Sequence, residues 1–214
     1  GPKVALGTNS NLGPQFRSYK PTTTGNVRNF PKNSDILSGA NNKVEVLPNV
    51  SRDLNFKLTV RDNNAEVGGV VYSSYKVKVT DLAGPFKITY PYLDYKFVVG
   101  QEIDVTWSVN NTNQTPVNCK KVNIYASTSS ALLDTDVNLI PLALNTENDG
   151  SQKVYIPNVI TSTLRIVIKA ADNIFLTSGI IPSRISAPTT PTFYFDADKS
   201  NVLIPNGAIE ALFI

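Results

Sequence analysis

The chain has 214 residues, and its 20 basic and 17 acidic side chains leave a formal net charge of +3 at pH 7. Histidine is absent and cysteine occurs once, at Cys119, which excludes Ser-His-Asp and Cys-His catalytic sets, imidazole metal sites and an internal disulfide. No apolar run approaches the roughly 18 residues that span a bilayer, and the basic residues are scattered, so we expect a globular protein with no membrane span, no nucleic-acid partner and no enzymatic activity.

Loops are predicted for the first part of the chain. Residues 1–49 are rich in Gly, Asn, Pro and Thr, which favour turns over regular structure. The exception is the segment SDILSG, residues 34–39, which predicts a single helical turn. Ser34 or Asp35 would cap its N-terminus, and Gly39 would end it.

A β-hairpin is predicted next, because apolar and polar residues alternate in two neighbouring segments. In residues 54–60 the apolar residues share one face: Leu54, Phe56, Leu58 and Val60. In residues 70–80 the apolar residues Tyr75, Val77 and Val79 are expected to point inward. Lys76 and Lys78 fall on the opposite face, and the turn-rich residues 61–69 connect the two strands. We interpret this unit as the last hairpin of a β-sandwich.

Seven or eight further short strands are predicted between residues 84 and 187. Their segments are FKITYP, EIDVTWSV, KKVNIYAST, IPLAL, QKVYIP, TLRIVIKAA, NIFLTSG and SRISAP. Alternation places Ile103, Val105 and Trp107 in the core, and Pro141 indicates an edge strand because proline lacks the N–H that a central strand needs. The number and spacing of these strands are typical of an immunoglobulin-like sandwich.

These patterns together predict an all-β protein with two tandem Ig-like β-sandwich domains. Residues 1–83 would form the first domain, which is incomplete or loop-rich because its opening strands are not visible in the sequence. Residues 84–187 would form the second domain. Residues 188–214 would form a tail with the strand-like runs TFYFDA and NVLIP, and its apolar end would need a surface to pack against.

Calcium is the only metal worth considering as a cofactor. Its oxygen ligands could come from Asp134 and Asp136, which flank Thr135 and are the best candidates in the chain. Asp62 and Asp149 lie in other Asx-rich segments, but no stretch has the spacing of an EF-hand. The alternative is that these residues serve only as turn formers.

Tyrosines near the expected domain junction are candidate binding residues. Tyr90, Tyr92 and Tyr95 follow Tyr72 and Tyr75 closely in the chain. Surface tyrosines offer a large contact area at small entropic cost, and they could bind protein or carbohydrate. The alternative is that they cover the junction between the two sandwiches.

Five blocks of sequence occur in an order and spacing that resemble one known arrangement. They are GPQFRSYKPTTTGNVRNFP, LPNVSRDLNFKLTVRDN, AGPFKITYP, VTWSVNNTNQTPVNCKKVNIYAST and NTENDGSQKVYIPNVITSTLRIVIKAADNIF. Over about residues 13–187 the chain resembles the region that follows the catalytic domain in secreted reprolysin-like zinc metallopeptidases of Bacteroidetes. The resemblance implies tandem Ig-like or fibronectin-like sandwiches outside the cell. No catalytic residue can be carried over, because the zinc-binding motif is missing.

Two functions are expected from these observations. The first is a non-catalytic extracellular or cell-surface module that acts as a spacer, an adhesion element or a substrate-binding element, with a protein or glycan as its partner. The second is a structural subunit of a surface filament. In that case the unpaired edge of the incomplete sandwich would accept a strand from a neighbouring chain.

Overall fold

The computed structural model describes residues 4–5, 7–20, 27–40, 43–62, 64–129, 139–180 and 182–188. The predicted all-β class is confirmed. In chain order the elements are α1 (Asn33–Ser38), β1 (Arg52–Arg61), β2 (Val70–Val79), β3 (Lys87–Tyr90), β4 (Lys96–Val98), β5 (Glu102–Ser108), β6 (Lys121–Ser127), β7 (Leu139–Glu147), β8 (Ser151–Tyr155), β9 (Thr161–Ala170), β10 (Leu176–Ser178) and β11 (Ser183–Ser186). In these ranges no helix is long and apolar enough to cross a membrane.

Two sheets enclose the main core. One sheet is antiparallel with the order β3-β5-β8, and the other has the order β4-β11-β9-β6-β7, with β10 also paired to β9. The side chains between the sheets come from alternate positions of their strands, and most are Val, Ile and Leu. The most deeply buried are Val105, Val122, Ile124, Ile156, Leu164, Ile166 and Ile168. Each contributes roughly 1.5–3 kcal/mol of burial free energy.

The sequence pattern predicted most of this sandwich correctly. Ile103, Val105 and Trp107 of β5 are buried as expected. Strand β7 pairs only with β6 among the described strands, so Pro141 does lie in an edge strand. Strand β4 was not predicted, because a three-residue strand between two turns has no room for a visible alternation.

The N-terminal region is organised around a buried carboxylate. Glu45 is almost fully buried, pairs with the guanidinium group of Arg28 and accepts a 2.9 Å hydrogen bond from the backbone N–H of Lys32. Lys32 is the N-cap of α1, so the prediction of Ser34 or Asp35 as the cap is wrong. Glu45 from outside the helix satisfies the cap residue's N–H, as a Glu at the third helical position does in a capping box. Gly39 ends the helix at φ 65°, as predicted.

Helix α1 packs on the outer surface of the larger sheet. Its Ile36 and Leu37 contact a small buried cluster that contains Leu139 of β7 and Val167 of β9. Val167 is fully buried although it faces away from the main core. The N-terminal region therefore contacts the sandwich across the predicted boundary at residues 83–84, and the division into two domains stays a prediction.

Candidate functional site

The hairpin of β1 and β2 is amphipathic. Its register pairs Phe56 with Tyr75 and Val60 with Val71, so the alternating apolar residues of both strands lie on one face, as the sequence predicted. The face also carries Leu54, Leu58, Val77 and Val79. A sheet face of this kind is stable when another layer covers it.

Other residues cover only the half of this apolar face that contains Leu54 and Phe56, which we call the inner half. The rings of Phe16 and Phe30 pack on Phe56, with centroid distances of 6.0 and 5.0 Å, and they contact each other at 4.7 Å. Leu54 and Val77 are half-buried beside them. The three phenylalanines form one contact between the N-terminal loops and the hairpin. A second comes from the guanidinium group of Arg52 in β1, which donates to two backbone carbonyl oxygens of the N-terminal loops.

The outer half of the face is open. We call its four residues the outer apolar face: Leu58, Val60, Val71 and Tyr75. Their exposed fractions lie between 54% and 67%. The expectation that Tyr75 points inward is therefore wrong, and Leu58 and Val60, which share its face, are exposed as well. Alternation determines which face a residue shares but does not supply the layer that covers it. Contiguous exposed apolar surfaces of this kind are candidate interaction sites.

The opposite face of the hairpin is polar and basic. Lys57 lies 4.3 Å from the ring centroid of Tyr72, and Lys76 forms an ion pair with Asp53 at 3.1 Å. Lys78 lies on the same face two residues further along β2. The hairpin therefore offers an apolar surface on one side and a row of positive charges on the other.

Both long edges of the hairpin are open among the described strands. β1 and β2 form a two-stranded sheet and hydrogen-bond to no other strand in that part of the chain. Each strand has ten residues, so each edge presents about five outward-facing N–H and C=O pairs. Exposed edges of this length are templates for pairing with another strand.

The turn of the hairpin is held by Asp62. Its carboxylate accepts hydrogen bonds from the backbone N–H groups of Asn64 and Gly69, at 3.1 and 3.0 Å. These bonds lower the pKa of Asp62. Asp62 thus acts as a turn former, which was the alternative to a calcium ligand.

Of the other calcium candidates, only Asp149 lies in the described residues. Asp134 and Asp136 lie outside the described residues, so calcium at that position stays a prediction. Asp149 accepts the N–H of Ser151 in a tight turn. Within the described ranges, no three His, Cys, Asp or Glu side chains are grouped to hold a metal ion.

The predicted binding tyrosines belong to the sandwich. The rings of Tyr90 and Tyr95 meet edge to face at 4.9 Å, and both pack against the main core. Burial, and then the neighbouring Tyr95, raises the pKa of Tyr90. Tyr92 is 45% exposed. Binding by these three residues stays a prediction, and the more exposed tyrosines Tyr72 and Tyr75 lie on the hairpin.

A buried amide joins the loops at the end of the sandwich near β3. Asn148 accepts a hydrogen bond from the Trp107 indole at 2.8 Å, and its Nδ2 donates to the carbonyl oxygen of Cys119 at 2.9 Å and to Thr112 Oγ1 at 3.1 Å. Sequence reasoning gave Asn148 no role beyond the Asx-rich turn that it shares with Asp149. Its partners lie between 29 and 41 residues away, so no local pattern could reveal the role.

Cys119 is fully buried, and its thiol donates to the carbonyl oxygen of Lys121. Burial, together with the nearby Asp172, raises the pKa of this thiol to about 11. A nucleophilic cysteine requires a lowered pKa and access to solvent, and Cys119 has neither. Cys119 therefore has the placement of a small core residue.

An ion-pair group lies on the exposed surface of the smaller sheet. Lys153 contacts Glu102 at 2.9 Å and Asp104 at 3.4 Å, and Tyr155 donates to Glu102 at 3.0 Å. The hydrogen bonds from Lys153 and then Tyr155 lower the pKa of Glu102. All four groups lie in open solvent on neighbouring strands, which is the usual arrangement of cross-strand pairs.

A comparison of the sequence with protein-family models gives no match, and a comparison with curated proteins gives none either.

Proposed function

We propose that this chain is a non-catalytic module of a secreted or cell-surface bacterial protein and that it binds a protein or a glycan through the β1–β2 hairpin. The outer apolar face is the observation that carries the proposal. The sequence resemblance to the region after the catalytic domain of reprolysin-like metallopeptidases supports the extracellular setting.

The energetic argument starts from the cost of leaving this face in water. Burying one Val or Leu side chain contributes roughly 1.5–3 kcal/mol. The outer apolar face has two valines, one leucine and one tyrosine on a hairpin that the phenylalanine cluster already orders. A partner that covers it gains this burial without ordering a new loop, and preorganisation of this kind favours binding.

Binding can be tested with the full chain on an array of oligosaccharides and an array of extended peptides. The double variant Leu58→Asp with Val71→Asp should lose binding, because it places two charges in the contact. Ile160 and Ile174 are exposed to a similar extent elsewhere on the sandwich, at 70% and 68%. The matched double variant Ile160→Asp with Ile174→Asp should bind like the unmodified chain.

If both double variants bind equally well, the proposal that the hairpin is the binding element is wrong. Hydrolysis of a peptide or oligosaccharide by the purified chain, with a defined pH optimum, would overturn the non-catalytic role.

A second candidate function is a subunit of a surface assembly formed by strand exchange. The two open edges of the hairpin favour it, because a strand from a neighbouring chain could hydrogen-bond along either one. Such contacts are heterologous, and their repetition produces a filament.

A further inference from the structure

One segment of the chain has a sequence that complements the hairpin. In residues 192–198, TFYFDAD, Phe193, Phe195 and Ala197 alternate with Tyr194, Asp196 and Asp198. An extended conformation would place the first three on one face and the tyrosine and two aspartates on the other. The segment thus pairs an apolar side with an acidic side, whereas the hairpin pairs an apolar side with a basic side.

The spacing of charges selects the edge of β2. Lys76 and Lys78 are two residues apart on this strand, as Asp196 and Asp198 are in the segment. The basic residues of β1 on the same face, Lys57 and Arg61, are four residues apart. Only β2 therefore offers two adjacent basic positions to the two aspartates.

The apolar side selects the direction of pairing. In a parallel pairing with Phe195 opposite Tyr75, Phe193 is opposite the small Ser73, and both aspartates are opposite the two lysines of β2. An antiparallel pairing that matches the same charges places Phe193 opposite Asp81. The parallel register is therefore the one that continues the apolar face with apolar side chains and matches the charges on the opposite face.

The ends of the sandwich indicate that the segment comes from a second copy. The hairpin joins the sandwich where β3 begins, and there Lys87 pairs with Ser108 at the end of β5. Strand β11, which leads to residues 192–198, ends at Ser186 beside Val99, near the start of β5. The seven residues of β5 separate these two ends by roughly 23 Å. The six residue steps from Ser186 to Thr192 reach about 20 Å when extended, and the parallel register places Thr192 still further away, opposite Tyr72.

From this geometry we propose that residues 192–198 of one chain add in parallel to the free edge of β2 in a second copy. The contact joins opposite ends of two molecules and therefore repeats head to tail. The inference rests on the proposed role of the hairpin as the binding element, and it names the partner as another copy of this chain.

The test is a charge swap in the full chain, followed by light scattering and sedimentation over a range of concentrations. The unmodified chain should gain mass as its concentration rises. The tail variant D196K/D198K and the hairpin variant K76D/K78D should each weaken association by at least about tenfold, because they place like charges opposite each other. The variant Glu210→Lys changes a charge outside the segment and should associate like the unmodified chain.

Mixing the two variants distinguishes binding of the segment to a second copy from binding within one chain. The tail variant and the hairpin variant are complementary to each other, so an equimolar mixture should recover the mass that each lacks alone. The quadruple variant with both swaps should also associate.

Three results would overturn the inference: a monomeric unmodified chain, association that neither swap weakens, or an equimolar mixture of the two variants that gains no mass. The last result would mean that the segment does not bind the hairpin of a second copy. If the Leu58→Asp with Val71→Asp variant still loses array binding while self-association is absent, the proposed function survives and only this inference fails.

Discussion

The indole nitrogen of Trp107 donates a 2.8 Å hydrogen bond to the side chain of Asn148, and both residues are buried. The amide of Asn148 also bonds to the backbone of Cys119, so one side chain ties the core tryptophan to the loop before β6. Buried polar networks that are fully satisfied in this way define a unique packing, and the loss of one member leaves the others unpaired.

Asn148→Ala should lower the free energy of unfolding by about 3 kcal/mol, because it leaves a buried N–H and a buried C=O without partners. Urea denaturation measures the change. In the background of Trp107→Phe the donor is already missing, so Asn148→Ala should cost less there. Equal costs in both backgrounds would show that the hydrogen bond contributes nothing to stability.

Cys119 should be inert in the folded protein. Its pKa of about 11 keeps the thiol protonated at pH 8, and its burial denies a reagent access. Ellman's reagent should therefore not react with the native protein, and it should detect one thiol per chain after addition of guanidinium chloride. Rapid labelling without denaturant would contradict the buried position.

Gly39→Ala should destabilise the contact between α1 and the sandwich. Gly39 has φ 65°, which costs a residue with a Cβ about 1–2 kcal/mol, and the added Cβ would lie 2.8 Å from Cδ1 of Ile180. Gly100 has φ 79° but no heavy atom within 4 Å of its added Cβ, so Gly100→Ala measures the backbone cost alone.

Ile180→Val removes Cδ1 and should recover the part of the Gly39→Ala loss that exceeds the loss in Gly100→Ala. Thermal unfolding of the three variants supplies the comparison. If Gly39→Ala and Gly100→Ala cost the same, the Ile180 side chain, which is 48% exposed, turns away from the added Cβ without a measurable cost.

Glu102 should titrate below the usual range of a glutamate. Because its pKa is lowered by Lys153 and then by Tyr155, its contribution to stability is present above the unfolded pKa and is lost as the pH falls through the folded pKa. Carboxyl NMR should show the pKa of Glu102 rising in Lys153→Gln and, by less, in Tyr155→Phe. The pKa of Asp62, which backbone N–H groups lower, should stay unchanged in both variants.

The sequence predicted the sandwich well where strand periodicity decides the outcome. In β5 the alternation of Ile103, Val105 and Trp107 with polar residues fixed the buried face, because neighbouring strand residues point to opposite sides. The same alternation is present in β9, where Ile166 and Ile168 of the predicted segment TLRIVIKAA are buried. It could not predict that Val167 is also buried, because the helix that covers it lies more than a hundred residues away in the sequence.

The candidate site was harder to predict for the same reason. The alternation in the hairpin grouped Leu58 with Phe56, but Phe56 is covered by Phe16 and Phe30 whereas Leu58 is exposed. Whether a residue of the hairpin is covered depends on the position of loops that are distant in the sequence, and a local pattern carries no information about them. The signal that the sequence did contain was the lack of opening strands before the hairpin, which predicted an incomplete first domain.

The arrangement of β3 and β11 has a mechanical consequence. The chain enters β3 at one end of the sandwich and leaves β11 at the other, so tension between the hairpin and the tail would act along the strands. A load in that direction shears the hydrogen bonds of β11 with β4 and β9 together instead of opening them one at a time. The sandwich is thus built to resist stretching between its two attachment points.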